Sequence, residues 1–279
     1  MKVFWRWMFQ LGVAFIGIVL ISGLPLLITG FQQGEFWWKE YRDHLFGLFP
    51  LSKLLEKYAG LHIGEYIQYS LETLFLALIV AVLLALFFTV ITMLCKERVR
   101  QRIKTVFFFL ESIPDILIIM LIQLLVIIIH RHTGVFVKIA VTGGEKIYLL
   151  PVVCLMILPM VQLYRLSMLT FEAEERKMYT ELARSLGFGK LIILLIHMFR
   201  NAIISIFFQS KKTMWFMLSN LFILERMFNM PGIMFYLSAN ITGELFFITV
   251  CSFFFPVFLL YSFGEWYFLR HVNKGRAIG

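Results

Sequence analysis

The chain has 279 residues and a net charge of +9, with 60% hydrophobic and only 15% charged residues, and its mean hydropathy is +0.84. A soluble domain carries about one quarter charged residues, so this chain falls outside that class and must hide its apolar surface in lipid. The positive balance fits basic loops beside anionic lipid and no nucleic-acid partner, since no stretch looks like an interleaved nucleic-acid surface.

Lys2 and Arg6 precede an apolar run over residues 9–29. A crossing needs about 20 residues, and the run lacks an A-x-A-like exit, so it reads as an uncleaved span and not a signal peptide. Residues 30–68 read as a polar loop with Trp37, Trp38 and Tyr41, aromatic residues expected at a membrane interface. The second span is predicted at 69–94, and Lys96, Arg98, Arg100, Arg102 and Lys104 follow as a short basic loop. The third span is predicted at 105–129, a short connector at 130–146, and the fourth span, holding Pro151 and Pro159, at 147–169.

Residues 178–202, MYTELARSLGFGKLIILLIHMFRNA, are then a polar island in a hydrocarbon chain. Tyr179, Leu182, Ala183 and Leu186 fall at i, i+3, i+4 and i+7, one apolar stripe of a helix, with Glu181, Arg184 and Ser185 on the other side. Gly187, Phe188 and Gly189 end that helix in a turn, and His197, Arg200 and Asn201 group near the end of the segment after it. Because charged and polar groups are costly in lipid, the fifth span is placed after them, at about 202–222. A loop over 225–244 with Pro231-Gly232, a sixth span at 245–269 and a basic tail complete the chain.

The pattern Tyr179, Ala183, Arg184, Gly187, His197, Arg200, Asn201, Ala202 resembles the cytoplasmic-loop signature of permease subunits of ABC importers, closest to the oligopeptide/dipeptide family. Ser112-Ile113-Pro114 looks like that family's Ser-x-Pro, and Glu225, Phe228, Pro231 and Gly232 like its Glu-x-x-Phe-x-x-Pro-Gly segment. Two departures stand out. Ser205 occupies the place of a proline common in the family, and the tail reads Arg270-His271-Val272 where an Asp-Pro-Arg-like segment is common. The resemblance extends from about residue 65 onward.

The resemblance implies an all-α polytopic membrane protein with six transmembrane helices and the type I ABC importer permease fold. Residues 1–68 hold the first helix and an extracytoplasmic loop, and 69–279 the transmembrane domain, with the cytoplasmic coupling loop at 172–201. It implies four kinds of partner: a second, different permease, two ATPase subunits, an extracytoplasmic substrate-binding protein and membrane lipid. Coupling to the ATPase falls to Tyr179, Leu182, Ala183, Arg184, Leu186, Gly187, His197, Arg200 and Asn201. The cargo implied is peptide, with nickel chelates as the alternative. There is no Walker A sequence, so no cofactor is expected in this chain, and ATP and Mg belong to the partner ATPases. The setting implied is the bacterial inner membrane. With the N-terminus inside, 15 Lys and Arg fall in cytoplasmic segments against 8 outside, which puts both termini in the cytoplasm.

Other chemistry is thin. Cys95, Cys154 and Cys251 match no disulfide or metal spacing, and His130 and His132 stand without a carboxylate or Cys cluster. Glu111 and Asp115 lie at i, i+4 around Pro114 and are candidates for the pathway, as are Lys211 and Lys212. A fifth span starting at 202 puts Lys211 about 13 Å deep. One lysine is then expected to face the pathway and the other to pair with Glu111 or Asp115; a later start leaves both at the cytoplasmic edge. Two other readings remain: an intramembrane enzyme built on Glu111, Asp115, His197 and Arg200, and a non-transporting scaffold or sensor that docks through the same loop.

Overall fold

The computed structural model describes residues 2–26, 37–49, 56–58, 60–134 and 146–276, and their regular elements are all helices. In chain order these are α1 (Lys2–Ser22), α2 (Trp37–Gly47), α3 (Ile63–Leu94), α4 (Glu97–Glu111), α5 (Asp115–Thr133), α6 (Leu149–Glu175), α7 (Met178–Ser185), α8 (Lys190–Met227), α9 (Ile233–Ala239) and α10 (Gly243–Arg276). Among the described residues, six helical stretches are long and apolar enough to cross a membrane: Trp5–Leu26, α3, α5, α6, α8 and Gly243–Phe268. The all-α, six-span architecture therefore stands. Parts of the predicted outer loops, with Lys53 and Lys138, lie outside the described residues, as do the side chains of Trp37 and Trp38.

Three predicted boundaries move. The basic residues 98–104 stand on a helix, α4, and the third span begins at Asp115 and not at residue 105. Pro114 is the cause: it has no N–H to donate and starts α5 from an extended conformation (φ −61°, ψ 140°). Ser112 and Ile113 end α4 with three-residue bonds to Phe109 (3.1 Å) and Leu110 (3.3 Å). The fifth helix runs unbroken over the 38 residues of Lys190–Met227, through the polar group that was expected to precede it. A π-helical stretch, Ile193–Met198, carries the chain through His197. Finally, α2 and α9 occupy segments expected to be plain loops.

Contacts divide the chain into two compact units, residues 1–71 with 231–279, and residues 72–230. In the first, Phe15 of α1 meets Phe247 of α10 edge-on at 6.0 Å, and Arg6 pairs with Glu265. Tyr66 stacks on Tyr236 at 5.3 Å, and Ser70 Oγ accepts the N–H of Ile233 at 2.9 Å, which satisfies a donor at the start of α9. Lys57 and Tyr58 both reach Glu244, at 2.5 and 3.0 Å.

The second unit is built on the antiparallel pair α6 and α8, which are packed along their length. Leu163, Tyr164, Met168 and Phe171 of α6 meet Ile193, Leu194, Met198, Ala202 and Ile206 of α8, with Ala85 and Met93 of α3 completing the cluster. Phe171 and Phe199 lie 6.3 Å apart. Tyr164 donates to Thr92 Oγ1 at 3.1 Å, so the polar tip of this ring is satisfied. By contrast α5 is mostly uncovered: 17% of its apolar window is buried against 56% for α6.

Ala202 is fully buried at the α6–α8 crossing, where a larger side chain has no room. Ala202→Leu is expected to destabilise the purified chain by about 1–3 kcal/mol, read as a lowered thermal midpoint in detergent, whereas a conservative change at exposed Leu121 on α5 leaves the midpoint in place.

Candidate functional site

The eight residues of α7 follow α6 after a short turn, and the turn is held by the acids that close α6. Glu174 accepts from Lys177 Nζ at 2.6 Å and from the Tyr179 hydroxyl, while its carbonyl accepts from Thr180 Oγ1 at 2.9 Å. Asn201, about three turns into α8, lies near enough to the Tyr179 hydroxyl to act on it electrostatically. Two residues of the sequence pattern that lie 22 positions apart are thereby brought close together. Burial is the main cause that pushes the Tyr179 phenol above its ordinary range, and the Glu174 hydrogen bond adds to it. The phenol stays protonated and donates.

The stripe read from sequence splits in two. Thr180 and Ala183 are buried, and Ala183 packs in the same cluster as Phe171, Met93 and Met198. Leu182 and Leu186, expected on the same stripe as Ala183, point the other way at 60% and 68% exposure, beside Met178 at 87%. Neighbouring residues differ by about 100° around a helix, so an eight-residue helix seated by Thr180 and Ala183 presents Met178, Leu182 and Leu186, at i, i+4 and i+8, to the outside. This is an apolar face that nothing among the described residues covers.

The helix ends at Gly187, whose φ of +83° is left-handed. Gly187 N–H bonds the Arg184 carbonyl at 3.0 Å and Phe188 N–H bonds the Ala183 carbonyl at 3.2 Å. These are the paired bonds of a Schellman stop, which favours a residue without a Cβ at this position. Phe188 then lies 5.8 Å from the His197 ring. Arg200 is exposed.

A second set of contacts ties α7 to α4. Arg184 donates to Glu175 Oε1 at 3.0 Å, and Arg100 donates to Glu175 Oε2 at 3.1 Å. Arg100 also reaches the Met93 carbonyl at the end of α3, at 3.2 Å. Two further cross-pairs rise along α4 and α6, Lys104–Glu172 and Arg165–Glu111, both at 2.9 Å. The Arg165–Glu111 approach is within ion-pair distance without being aligned as a hydrogen bond.

The sequence of residues 81–265 matches the family described as binding-protein-dependent transport system inner membrane component. This chain belongs to that family. It is a multi-pass membrane permease of an ABC importer, and members of the family work with ATPase and binding-protein partners. No curated protein matches the chain. The matched stretch holds α4 to α9 whole.

The permease does not bring its pathway candidates together as expected. Glu111 is engaged by Arg165, and Asp115 accepts from Asn220 of α8 at 2.5 Å. Neither acid meets a lysine. Lys211 and Lys212 are both exposed and have no acid partner among the described residues, so the expected lysine–carboxylate pairing is replaced by Glu111–Arg165 and Asp115–Asn220. The groups named for an intramembrane enzyme are likewise dispersed: each acid has its own partner, and His197 sits against Phe188. His130 and His132 lie in the last turn of α5 and not on a loop. Among the described residues, no three metal-ligating side chains gather.

Sequence reasoning missed Arg100, Glu172, Glu174 and Glu175. Arg100, counted with a solvated basic loop, is only 7% exposed. The signal was present as an acidic run, Glu172-Ala173-Glu174-Glu175, opposite the basic run 96–104, two charge patterns of opposite sign on segments predicted to lie on the same side of the membrane.

An added Cβ at Gly187 would meet nothing within 4 Å, so the cost of replacing it is conformational alone. Gly187→Ala is expected to cost about 1–2 kcal/mol, a rise of roughly five- to thirtyfold in the opened population of the turn. Gly187→Val should cost more and Gly187→Asn less. The rate of proteolytic nicking between residues 184 and 192 gives the order Val, Ala, Asn, Gly, from fastest to slowest.

Proposed function

We propose that the permease serves a bacterial peptide importer and that α7 is the element the ATPase subunits grip. The observation that carries this reading is the uncovered apolar face of Met178, Leu182 and Leu186 on a short helix whose opposite side is fixed by Thr180, Ala183 and the Glu174 and Glu175 contacts. A helix this short is not stable by itself. Its seating therefore comes from tertiary contacts, and its free face is available to a cleft in another protein.

In this reading the chain pairs with a second, different permease to form the translocation pathway. Two ATPase subunits bind from the cytoplasm, where both termini lie, and an extracytoplasmic protein delivers cargo. ATP and Mg act on the ATPase subunits. Closure of the ATPase dimer displaces α7, and the displacement passes through Glu175 to Arg100 and so to α4. Peptide cargo is supported by the resemblance of the 178–202 pattern to oligopeptide and dipeptide permeases; uptake of labelled peptide against labelled nickel chelate decides between the two cargoes.

Leu182 is the direct probe of docking, because Ala183 is buried and a charge there would disturb the seat. Leu182→Glu places a carboxylate in an apolar contact without a partner. The wild-type permease is expected to co-purify with stoichiometric ATPase subunits and to hydrolyse ATP on addition of cargo. Leu182→Glu should keep its level in the membrane and lose at least about tenfold in ATPase retention, equivalent to about 1.4 kcal/mol. Normal retention and hydrolysis in that variant would remove α7 from the docking role. Orientation is checked with single cysteines at His132 and Ser185 after replacement of Cys95, Cys154 and Cys251: an impermeant thiol reagent on intact cells should label the first and spare the second.

A further inference from the structure

The outward side of α8 does not look like a surface made for lipid. Ser205, Phe208, Lys212, Trp215, Ser219 and Phe222 are all exposed. They recur at steps of three and four and so form one stripe along the helix. On α5 the corresponding exposed stripe is Leu117, Leu121, Leu124 and Ile128, hydrocarbon throughout. Two helices of the same unit thus present opposite chemistry to their surroundings.

Depth sharpens the contrast. Phe199 of α8 is level with Phe171 of α6, and Leu224 of α8 lines the same small cavity as Leu155 of α6. Lys212 is midway between Phe199 and Leu224, about 18–20 Å from each. The hydrocarbon of a bilayer is about 30 Å thick, so a bilayer centred on the stretch that packs against α6 holds Lys211 and Lys212 near its middle. An ammonium group at that depth is found facing a bundle interior or a water-filled cavity. Neither lysine meets an acid among the described residues. The sole carboxylate of α8, Glu225, is fully buried. The stripe is therefore cationic and stays so, with an aromatic ring on either side of Lys212.

We propose that this face of α8 is a wet wall of the translocation pathway and that it selects cargo by an exposed anionic group, of which a peptide carboxylate is one form. Lys212 supplies the charge in a low-dielectric surround, where it attracts an oxyanion strongly, and Phe208 and Trp215 flank the cargo with apolar area. Lys211, about 100° away around the helix, lies at the edge of the stripe and adds to the field without facing the cargo squarely. The proposal rests on the importer reading above and is tested apart from it.

Single cysteines at Ser205, Ser219 and, as a control, Leu121 are placed in the assembled transporter with the native cysteines replaced. Membrane vesicles of both orientations are treated with sulfonatoethyl or trimethylammonioethyl methanethiosulfonate, and rates are divided by those for glutathione in solution. Ser205→Cys and Ser219→Cys should react, with the anionic reagent favoured by roughly tenfold or more. Adding Lys211→Met with Lys212→Met should abolish the preference, Lys212→Arg should keep it, and Leu121→Cys should react with neither reagent. Silence at both serine positions overturns the wet wall. Equal rates for the two reagents, or a preference that survives loss of both lysines, overturns the anion selection. If ATPase subunits fail to co-purify while the anionic preference persists, the importer reading fails and the cationic wall stands; intact co-purification with silent cysteines gives the opposite result.

Discussion

Glu175 gives one carboxylate oxygen to Arg100 of α4 and the other to Arg184 of α7, at the end of a helix where negative charge is least welcome. The C-terminal end of α6 carries the negative pole of its backbone dipole, and its last turn has no basic residue. Glu172, Glu174 and Glu175 nevertheless cluster there. The cations that offset them come from elsewhere: Arg100 and Lys104 from α4, Lys177 from the turn, Arg184 from α7. The position of α7 is thus set by a charge imbalance that α6 cannot resolve alone. Arg100 is the most buried of these cations and meets Glu97 at 3.5 Å as well as Glu175. The link from α7 to α4 depends on this shared carboxylate, while Glu174 and the buried Thr180 and Ala183 hold the seat of α7 beside it.

Between α7 and the membrane-spanning part of the unit, α4 is an arm with a joint at each end. At its start Arg100 is tied to Glu175. At its finish the chain breaks at Ser112-Ile113-Pro114, and the next residue, Asp115, is bonded to Asn220 of α8. The same helix α8 places Asn201 beside Tyr179, about three turns from its start, and carries the exposed lysines farther along. A chain of polar contacts therefore leads from α7 through Glu175 and Arg100 to α4, and from its far end through Asp115 to α8.

Much of this was legible in the sequence because bilayer thickness and helix rise are simple constraints. Runs of about 20 apolar residues read as spans, and the steps of α7 with Gly187 behind them read as a helix and its stop. The failures have local causes. Residues 105–109 are apolar enough to extend a span, yet they belong to α4, and Pro114 decided the boundary. His197, Arg200 and Asn201 look too polar for a spanning helix, but they lie in its third and fourth turns, where Arg200 and Asn201 are exposed. Ala183 and Leu182 were placed on one stripe because i+3 and i+4 steps from Tyr179 cannot tell which flank of a short helix is covered. The acids closing α6 were passed over because charge near a polar loop usually means solvent, and only three-dimensional placement shows four cations converging on them.

The sparse burial of α5 sets how freely this chain can vary. A side chain packed in a core is held to a shape, since one methylene too many or too few is felt by its neighbours. A side chain that meets only hydrocarbon liquid is held to a transfer energy, which Leu, Ile, Val, Met and Phe satisfy almost alike. α5 is therefore free to drift among apolar residues while keeping its hydropathy, whereas α6, more than half covered, is held residue by residue. Relatives of this chain should have lost recognisable identity first along α5, at positions such as Leu121 and Leu125, long before α6 loses Tyr164 or Phe171.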